Sequence, residues 1–344
     1  VNPNFSLATP AVRSGNLIAM PSQHYQTLAA QTFPRQPAFG LAGTIAWVLT
    51  AVIFSAGLGG CGKASNPPET APVAAPSAAA VAADPTPAAS RLLSSLGTAD
   101  QSPLDLIDSQ KFVQHDLSIP DGKAGFKTFL ARLPKDSYKV TPVRLFHDGD
   151  VVVAQSVVEW DGPKVAFDIF RFDHGKVVEH WDNLQPRNAD PNQSGHTMTD
   201  GPTAVADESQ TEANKALVQK FIEQVIIGEK VDGFDSFFDG DKYIQHDPGL
   251  GDGTSDLKSI LTGYAASGTP TGYTNLVTVL GQGNFVLAIT SGSAGGKPAA
   301  FYDLFRVDHG KLAEHWDTIQ ELPPAPEWKN SNGKFDGFPH PAAH

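Results

Sequence analysis

Two stretches of the chain say nearly the same thing. Phe167-Asp-Ile-Phe-Arg-Phe-Asp-His-Gly-Lys-Val-Val-Glu-His-Trp-Asp182 returns as Tyr302-Asp-Leu-Phe-Arg-Val-Asp-His-Gly-Lys-Leu-Ala-Glu-His-Trp-Asp317, so Asp168 and Asp303 lie 135 residues apart, as do His180 and His315. Upstream, Lys111-Phe-Val-Gln-His-Asp116 returns as Lys242-Tyr-Ile-Gln-His-Asp247 at an offset of 131. Two unrelated motifs repeated in the same order point to a tandem duplication. Whatever folds here must therefore fold within about half of 344 residues, which leaves room for two ordinary domains and their tails.

The pattern inside each copy sets the fold class. In the first repeat, 91–187, Leu92, Leu93 and Leu96 mark a short helix that Gly97 ends, and Phe126, Phe129, Leu130 and Leu133 recur at helical spacing. Strands follow over 138–145, 151–158 and 164–172, separated by His147-Asp-Gly-Asp150 and Asp161-Gly162, and the doubled hairpin closes the unit. The second repeat, 212–321, opens with Leu217, Val218, Phe221, Ile222 and Val225 on one helix face, with Ser209 and Glu212 at capping-box spacing. Helices are expected over 231–238 and 255–264, then strands over 273–280, 285–291 and 298–307. Each repeat thus predicts helices packed on one face of a curved antiparallel sheet, an α+β domain. A polar linker, 188–211, joins the repeats, and 322–344 is read as an extended tail.

The hairpin register decides which polar groups meet. A two-residue turn would force His174 and His309 to positive φ, whereas a three-residue turn asks this only of Gly175 and Gly310. The three-residue turn predicts that Asp168 faces His180 and Asp303 faces His315 across the strands. Alternation then puts Phe170, Val178 and Asp182, or Phe305, Ala313 and Asp317, on that same face, and Arg171, Glu179 and Trp181, or Arg306, Glu314 and Trp316, on the other. An Asp–His pair among apolar neighbours can exchange a proton near neutral pH; it can equally be a cross-strand bond that fixes register. His115 and His246 are the other candidates.

Other chemistries find no support. There is no Gly-rich phosphate loop, no GxSxG elbow and no cysteine beyond Cys61, so no disulfide within the chain and no thiolate metal site are expected. Histidine and aspartate can ligate metals, but no HxxxH or HxH lies within an element; no metal and no cofactor are expected. A net charge of −12 without any Lys/Arg cluster argues against nucleic acid.

The N-terminal region, 1–60, reads as a signal region, with Met20 as a start and 1–19 outside it. Leu41 to Gly60 is an uncharged apolar run that ends Leu58-Gly-Gly-Cys61, which resembles the lipobox of bacterial lipoproteins, with Cys61 the lipidated residue. The alternative is a spanning anchor, since about 20 apolar residues cross a bilayer. An Ala/Pro/Ser tract, 61–90, would tether the folded part, reaching up to about 85 Å if extended. This places the chain in the bacterial cell envelope, lipid-anchored and facing the periplasm or cell exterior, with no membrane contact beyond the anchor.

The paired motifs K[FY][VI]QHD and [FY]D[IL]FR[FV]DHGK…EHWD resemble the SnoaL-type polyketide cyclase family of the nuclear-transport-factor-two-like (NTF2-like) superfamily. Within it they are similar to a bacterial group of predicted SnoaL-like aldol-condensation-catalysing proteins, as are Asn192 to Pro202 and Glu327 to Phe335. The resemblance covers about 91–335. It implies two cone-shaped domains around apolar pockets and a cofactor-independent aldol-type cyclisation, lyase or isomerase reaction on a small carbonyl compound. The positions it matches are Asp168 and Asp303, with His115 and His246; with the hairpin register this makes Asp303, His246 and His315 the expected site, and Asp168, His115 and His180 equivalent or silent. Gln155 and Ile289 stand where the family often has a histidine. The alternative is a non-catalytic module binding a small apolar ligand or a protein. Either way, the two repeats could pair as an internal pseudo-dimer.

Overall fold

In a computed structural model of the chain, residues 84–133, 137–268 and 270–339 are described. The signal region with Cys61 and all of the tether before Asp84 lie outside them. Among the described residues no helix is long and apolar enough to cross a membrane.

The first helix, α1 (Thr86–Ser95), starts inside the tract read as tether. Asp84 Oδ1 accepts both the backbone N–H and the hydroxyl of Thr86, at 2.8 and 2.7 Å, and so organises the entry. Ala89, Leu92, Leu93 and Leu96 are buried at helical spacing; Ala89 belongs to the stripe but was hidden in a run of alanines. The strand β1 (Val113–Gln114) and the helix α2 (Gly122–Arg132) follow. Four long strands then complete the half: β2 (Lys139–Asp148), β3 (Val151–Glu159), β4 (Pro163–Asp173) and β5 (Lys176–Pro186). The second half repeats this with α3 (Thr211–Phe221), β6 (Ile244–Gln245), α4 (Ser255–Ser267), β7 (Tyr273–Gln282), β8 (Phe285–Ala294), β9 (Lys297–Asp308) and β10 (Lys311–Glu321). No capping box forms at Ser209 and Glu212, because Glu208–Gln210 is a 3-10 turn leading straight into α3. A π-helical stretch, Ile222–Ile227, prolongs α3 and turns Ile222, Val225 and Ile226 inward.

The result is a mixed α+β protein with two five-stranded sheets of the same order, β1-β5-β4-β3-β2 and β6-β10-β9-β8-β7. The Gln-His-Asp motifs supply the edge strands β1 and β6, which pair in parallel with β5 and β10. Three apolar clusters define the layers: α1 and α2 on the first sheet, α3 and α4 on the second, and a third cluster in which the other faces of both sheets meet. Trp181 and Trp316, both fully buried, belong to that central layer. There Asn183 Nδ2 donates to the carbonyl and hydroxyl of Thr318, at 2.8 and 3.0 Å. Gln185 and Gln320 each accept a backbone N–H from the opposite sheet.

The hairpin differs from the expected register. The turns are two-residue, pairing Asp173 with Lys176 and Asp308 with Lys311, and His174 (φ 49°) and His309 (φ 48°) do take the left-handed conformation. A β-bulge follows at once in each copy, after which Asp168 stands opposite Asp182 and Asp303 opposite Asp317. The turn is one residue shorter and the bulge one residue longer than expected. Alternation is therefore restored beyond the bulge, where each residue keeps its expected face, whereas Val177 and Leu312, between turn and bulge, join the helix-side clusters.

Neither connecting segment is a free linker. Residues 192–202 lie on the second sheet: Asn192 Nδ2 donates to Gln245 O, and Trp316 Nε1 to Asp200 O at 2.9 Å. Residues 330–338 do the same to the first: Asn332 Nδ2 donates to Gln114 O, and Trp181 Nε1 to Asp336 O at 2.9 Å. Each repeat is thus strapped by the segment that follows the other one.

Candidate functional site

A cavity of about 410 Å³ opens between the second sheet and its helices. Phe221, Ile222, Ile226, Leu257, Ile260 and Phe305 give it apolar walls, and Asp303, Asp317, Asp247 and His315 gather on its sheet side. The strands dictate this grouping: Asp303 on β9 is paired with Asp317 on β10, and His315, two residues before Asp317, shares their face. His315 reaches Asp303 diagonally, with Nε2 3.1 Å from Oδ1. The Tyr273 hydroxyl donates to the same oxygen at 3.1 Å. Asp303 Oδ2 and Asp317 Oδ1 are buried and have no hydrogen-bond partner among the described residues.

Gln245 fixes the imidazole. Its Oε1 accepts the backbone N–H groups of His246 and Asp247, at 3.0 and 3.2 Å, so the amide oxygen and not its nitrogen must face them. His315 Nδ1, 2.8 Å from that oxygen, is then a donor, and Nε2 is the atom turned to Asp303. Burial alone would lower the His315 pKa, but the bond to Asp303 and the surrounding carboxyls Asp317, Asp303 and Asp247 raise it above the ordinary value. Burial, reinforced by the Asp247 carboxyl, pushes Asp317 well above the carboxylate range; burial raises Asp247 too. The site therefore combines an oriented imidazole, its carboxyl partner and a second carboxyl whose burial favours the protonated form.

The first repeat holds the same polar set around much less space. His180 Nε2 lies 3.2 Å from Asp168 Oδ1 and its Nδ1 3.0 Å from Gln114 Oε1. Burial and the neighbouring Asp182 raise the Asp116 pKa to about 7. The cavity here is only about 40 Å³. Its walls explain the difference, since Phe126, Phe129, Val158 and Trp160 stand where the second repeat has Leu257, Ile260, Gly292 and Ala294. Phe129 meets Trp160 edge-on at 5.9 Å, and Tyr138 closes on the same indole at 6.1 Å.

Four of the six expected site residues, Asp168, His180, Asp303 and His315, therefore line cavities. His115 and His246 do not. Each stacks on a tryptophan of the opposite sheet face, His115 on Trp181 at 4.7 Å and His246 on Trp316 at 4.6 Å. His246 Nε2 lies 2.9 Å from Glu314 Oε1, and Nδ1 2.7 Å from the strap carbonyl of Thr197. His115 repeats this with Glu179 at 2.8 Å and Gly333 O at 2.6 Å. The reason is alternation on β1 and β6, which turns Gln114 and Gln245 toward the imidazoles and the next residue to the other face. The carboxyls that follow, Asp116 and Asp247, reach the cavities instead. Asp116, Asp247, Asp182 and Asp317 line the cavities without belonging to the expected set, although strand alternation puts Asp182 and Asp317 on that face. Gln155 also lies on the far face, held between Arg144 and Met198 O, and Ile289 is in the central layer.

His196, Asp200 and His246 bring possible metal-ligand atoms within 4.8 Å of one another. Those atoms already bond among themselves: His246 Nδ1 lies 3.0 Å from Asp200 Oδ1, and His196 Nδ1 3.2 Å from Asp200 Oδ2. His196 Nε2 also lies 3.3 Å from Asp252. The group fastens the strap to the second sheet.

No family model matches the chain, and no curated protein matches it in sequence. Among solved structures the chain is similar to a candidate ketosteroid isomerase from Kribbella flavida DSM 17836, with 16% identity over 38% of this chain and 98% of that one, at a TM-score of 0.30. A candidate SnoaL-like polyketide cyclase from Jannaschia sp. CCS1 aligns with 15% identity over 29% of this chain and 85% of its own, TM-score 0.26. An LEH-like epoxide hydrolase of M. tuberculosis aligns with 18% identity over 32% and 85%, TM-score 0.26. Each covers only part of this chain.

Proposed function

We propose that the chain is a SnoaL-like, cofactor-independent acid–base enzyme that carries out an aldol-type cyclisation, lyase or isomerase reaction on a small carbonyl compound in the cavity of its second repeat. The observation that carries this reading is the pairing of Asp303 and Asp317. Both are buried in one apolar cavity, each has an oxygen without a hydrogen bond, and burial favours the proton on Asp317. Asp303 takes a proton from the carbon beside the carbonyl, with Tyr273 and His315 holding its other oxygen. Asp317, as a neutral acid, donates to the carbonyl oxygen where negative charge develops. The apolar walls exclude water and seat the carbon skeleton. The filled first repeat serves as support. Cys61 carries the lipid anchor that holds the enzyme in the cell envelope, on the periplasmic or outer side.

The test is turnover of a panel of β-dicarbonyl and polyketide-like compounds. Asp303→Asn should lower kcat/KM by about 10² to 10⁴, while Asp168→Asn leaves it unchanged. Turnover that survives both substitutions together removes the catalytic reading. A tightly retained apolar metabolite in native mass spectra, without turnover, would favour the ligand-binding alternative. Labelled palmitate should mark the wild type and vanish in Cys61→Ala; label in both refutes the anchor.

A further inference from the structure

The two straps correspond position by position over 197–200 and 333–336. Thr197 and Gly333 offer carbonyls to His246 and His115, and Asp200 and Asp336 offer theirs to Trp316 and Trp181, both pairs 136 residues apart. Lys334 on the tail therefore corresponds to Met198 on the linker. Lys334 is buried, and its Nζ lies 3.1 Å from Asp182 Oδ1 and 3.0 Å from Gln320 Oε1. An ammonium is thus tied to the carboxyl of the first repeat that corresponds to Asp317. Met198 is equally buried but brings no charge, and Asp317 Oδ1 is left without a hydrogen bond among the described residues.

We propose that this strap position decides whether the second carboxyl of each sheet pair can serve as a proton donor: beside Met198 the Asp317 carboxyl is left untied, whereas Lys334 ties the Asp182 carboxyl to a cation. The carboxyls and imidazoles around the two groups correspond, while the phenols differ. Asp247, Asp303, His315 and Tyr243 surround Asp317. Asp116, His180, Tyr138 and Tyr302 face Asp182, with Asp168 paired to it across the strands. Tyr243 replaces Phe112 and Tyr302 replaces Phe167, but the charge difference comes with Lys334. Lys334 and Met198 are positioning residues; neither lines a cavity. Because each strap crosses to the other repeat, the tail of the second sets the charge beside Asp182 of the first.

The inference deepens the proposed acid–base reading, but its test needs no substrate. The full chain is labelled with ¹³C at Asp carboxyls, and signals are assigned with Asp317→Asn and Asp182→Asn. The Asp317 carboxyl, untied, should titrate above the carboxyl that Lys334 ties. Met198→Lys should lower the Asp317 midpoint by about 1 to 3 pH units, and Met198→Leu should leave it in place. Lys334→Met, read in the other repeat, should raise the Asp182 midpoint by a similar amount, so a misfolded Met198→Lys does not end the test. An Asp317 midpoint no higher than that of Asp182 in the wild type, or midpoints indifferent to both exchanges, overturns the proposal. Shifted midpoints in a protein that turns over none of the panel would instead count against the enzyme reading alone.

Discussion

Substituting Glu314 by Gln should unfold the protein far more easily than its place away from the cavity suggests. Glu314 is 1% exposed and carries two obligations: Oε1 accepts from His246 Nε2 at 2.9 Å, and Oε2 from Arg306 Nε at 2.7 Å. The amide can serve one donor through its oxygen but turns an N–H toward the other, and it removes the negative charge. Breaking a buried ion pair from one side costs about 3–5 kcal/mol. Gln retains one bond, so about 3 kcal/mol is expected, a large share of a total near 5–15 kcal/mol. At about 2–4 °C per kcal/mol for a protein of this size, Tm falls by about 6–12 °C. The control is Glu321→Gln, since Lys297–Glu321 is also a 2.7 Å pair but is half or more exposed on both sides. It should cost about 1 kcal/mol or less. Burial would raise the Glu314 pKa, but the bonds from His246 and Arg306 hold it below the ordinary value. Its stabilisation is therefore full above about pH 4.3 and is lost as pH falls through the lower folded value. Thermal and urea unfolding at pH 7 read both variants, and the gap to wild type should close on acidification. Equal costs for the two variants, or a gap that widens in acid, would refute the reasoning.

Two further outcomes follow from the cavities and the imidazole. Ala294→Trp with Ile260→Phe should give the second repeat the filled walls of the first and abolish ligand uptake with little loss of stability. The converse, Trp160→Ala, should cost up to about 3 kcal/mol by urea titration because that indole is a packed wall of the first repeat. The raised His315 pKa makes its pairing with Asp303 fully stabilising below about pH 6.5, with the contribution lost as pH rises through the folded value. His315→Gln should therefore be most destabilising at the acid end of a pH series from about 5.5 to 9; a cost that grows with pH would reverse the argument.

Strand positions and the cavity-facing face of the hairpin were legible because alternation has a period of two and survives compensating shifts. Asp168, His180, Asp303 and His315 meet as diagonal neighbours although the predicted turn was wrong by one residue. The positive φ of His174 and His309 was not legible, because the tolerance of that conformation depends on the twist of the strands it joins. His115 and His246 were misplaced for a different reason. A two-residue parallel edge strand has too little alternation to reveal its faces, and their partners are Glu179, Glu314 and strap carbonyls up to 218 residues away. The swap of Lys334 for Met198 has no local pattern at all; it becomes visible only when the straps are superposed through the bonds they make.

The crossing of the straps also sets where this chain can be divided. Cut between the repeats, on either side of residues 192–202, it would leave the first sheet without the tail that covers Trp181 and His115. If the linker stayed with the first half, that half would carry a cover fitted to its neighbour. Two separately made halves would have to trade these covers between chains, each completing the other, as subunits with exchanged arms do. Joining them in one polypeptide turns that exchange from a concentration-dependent encounter into a closure within a single molecule, and ties the state of each pocket to a segment made with the other.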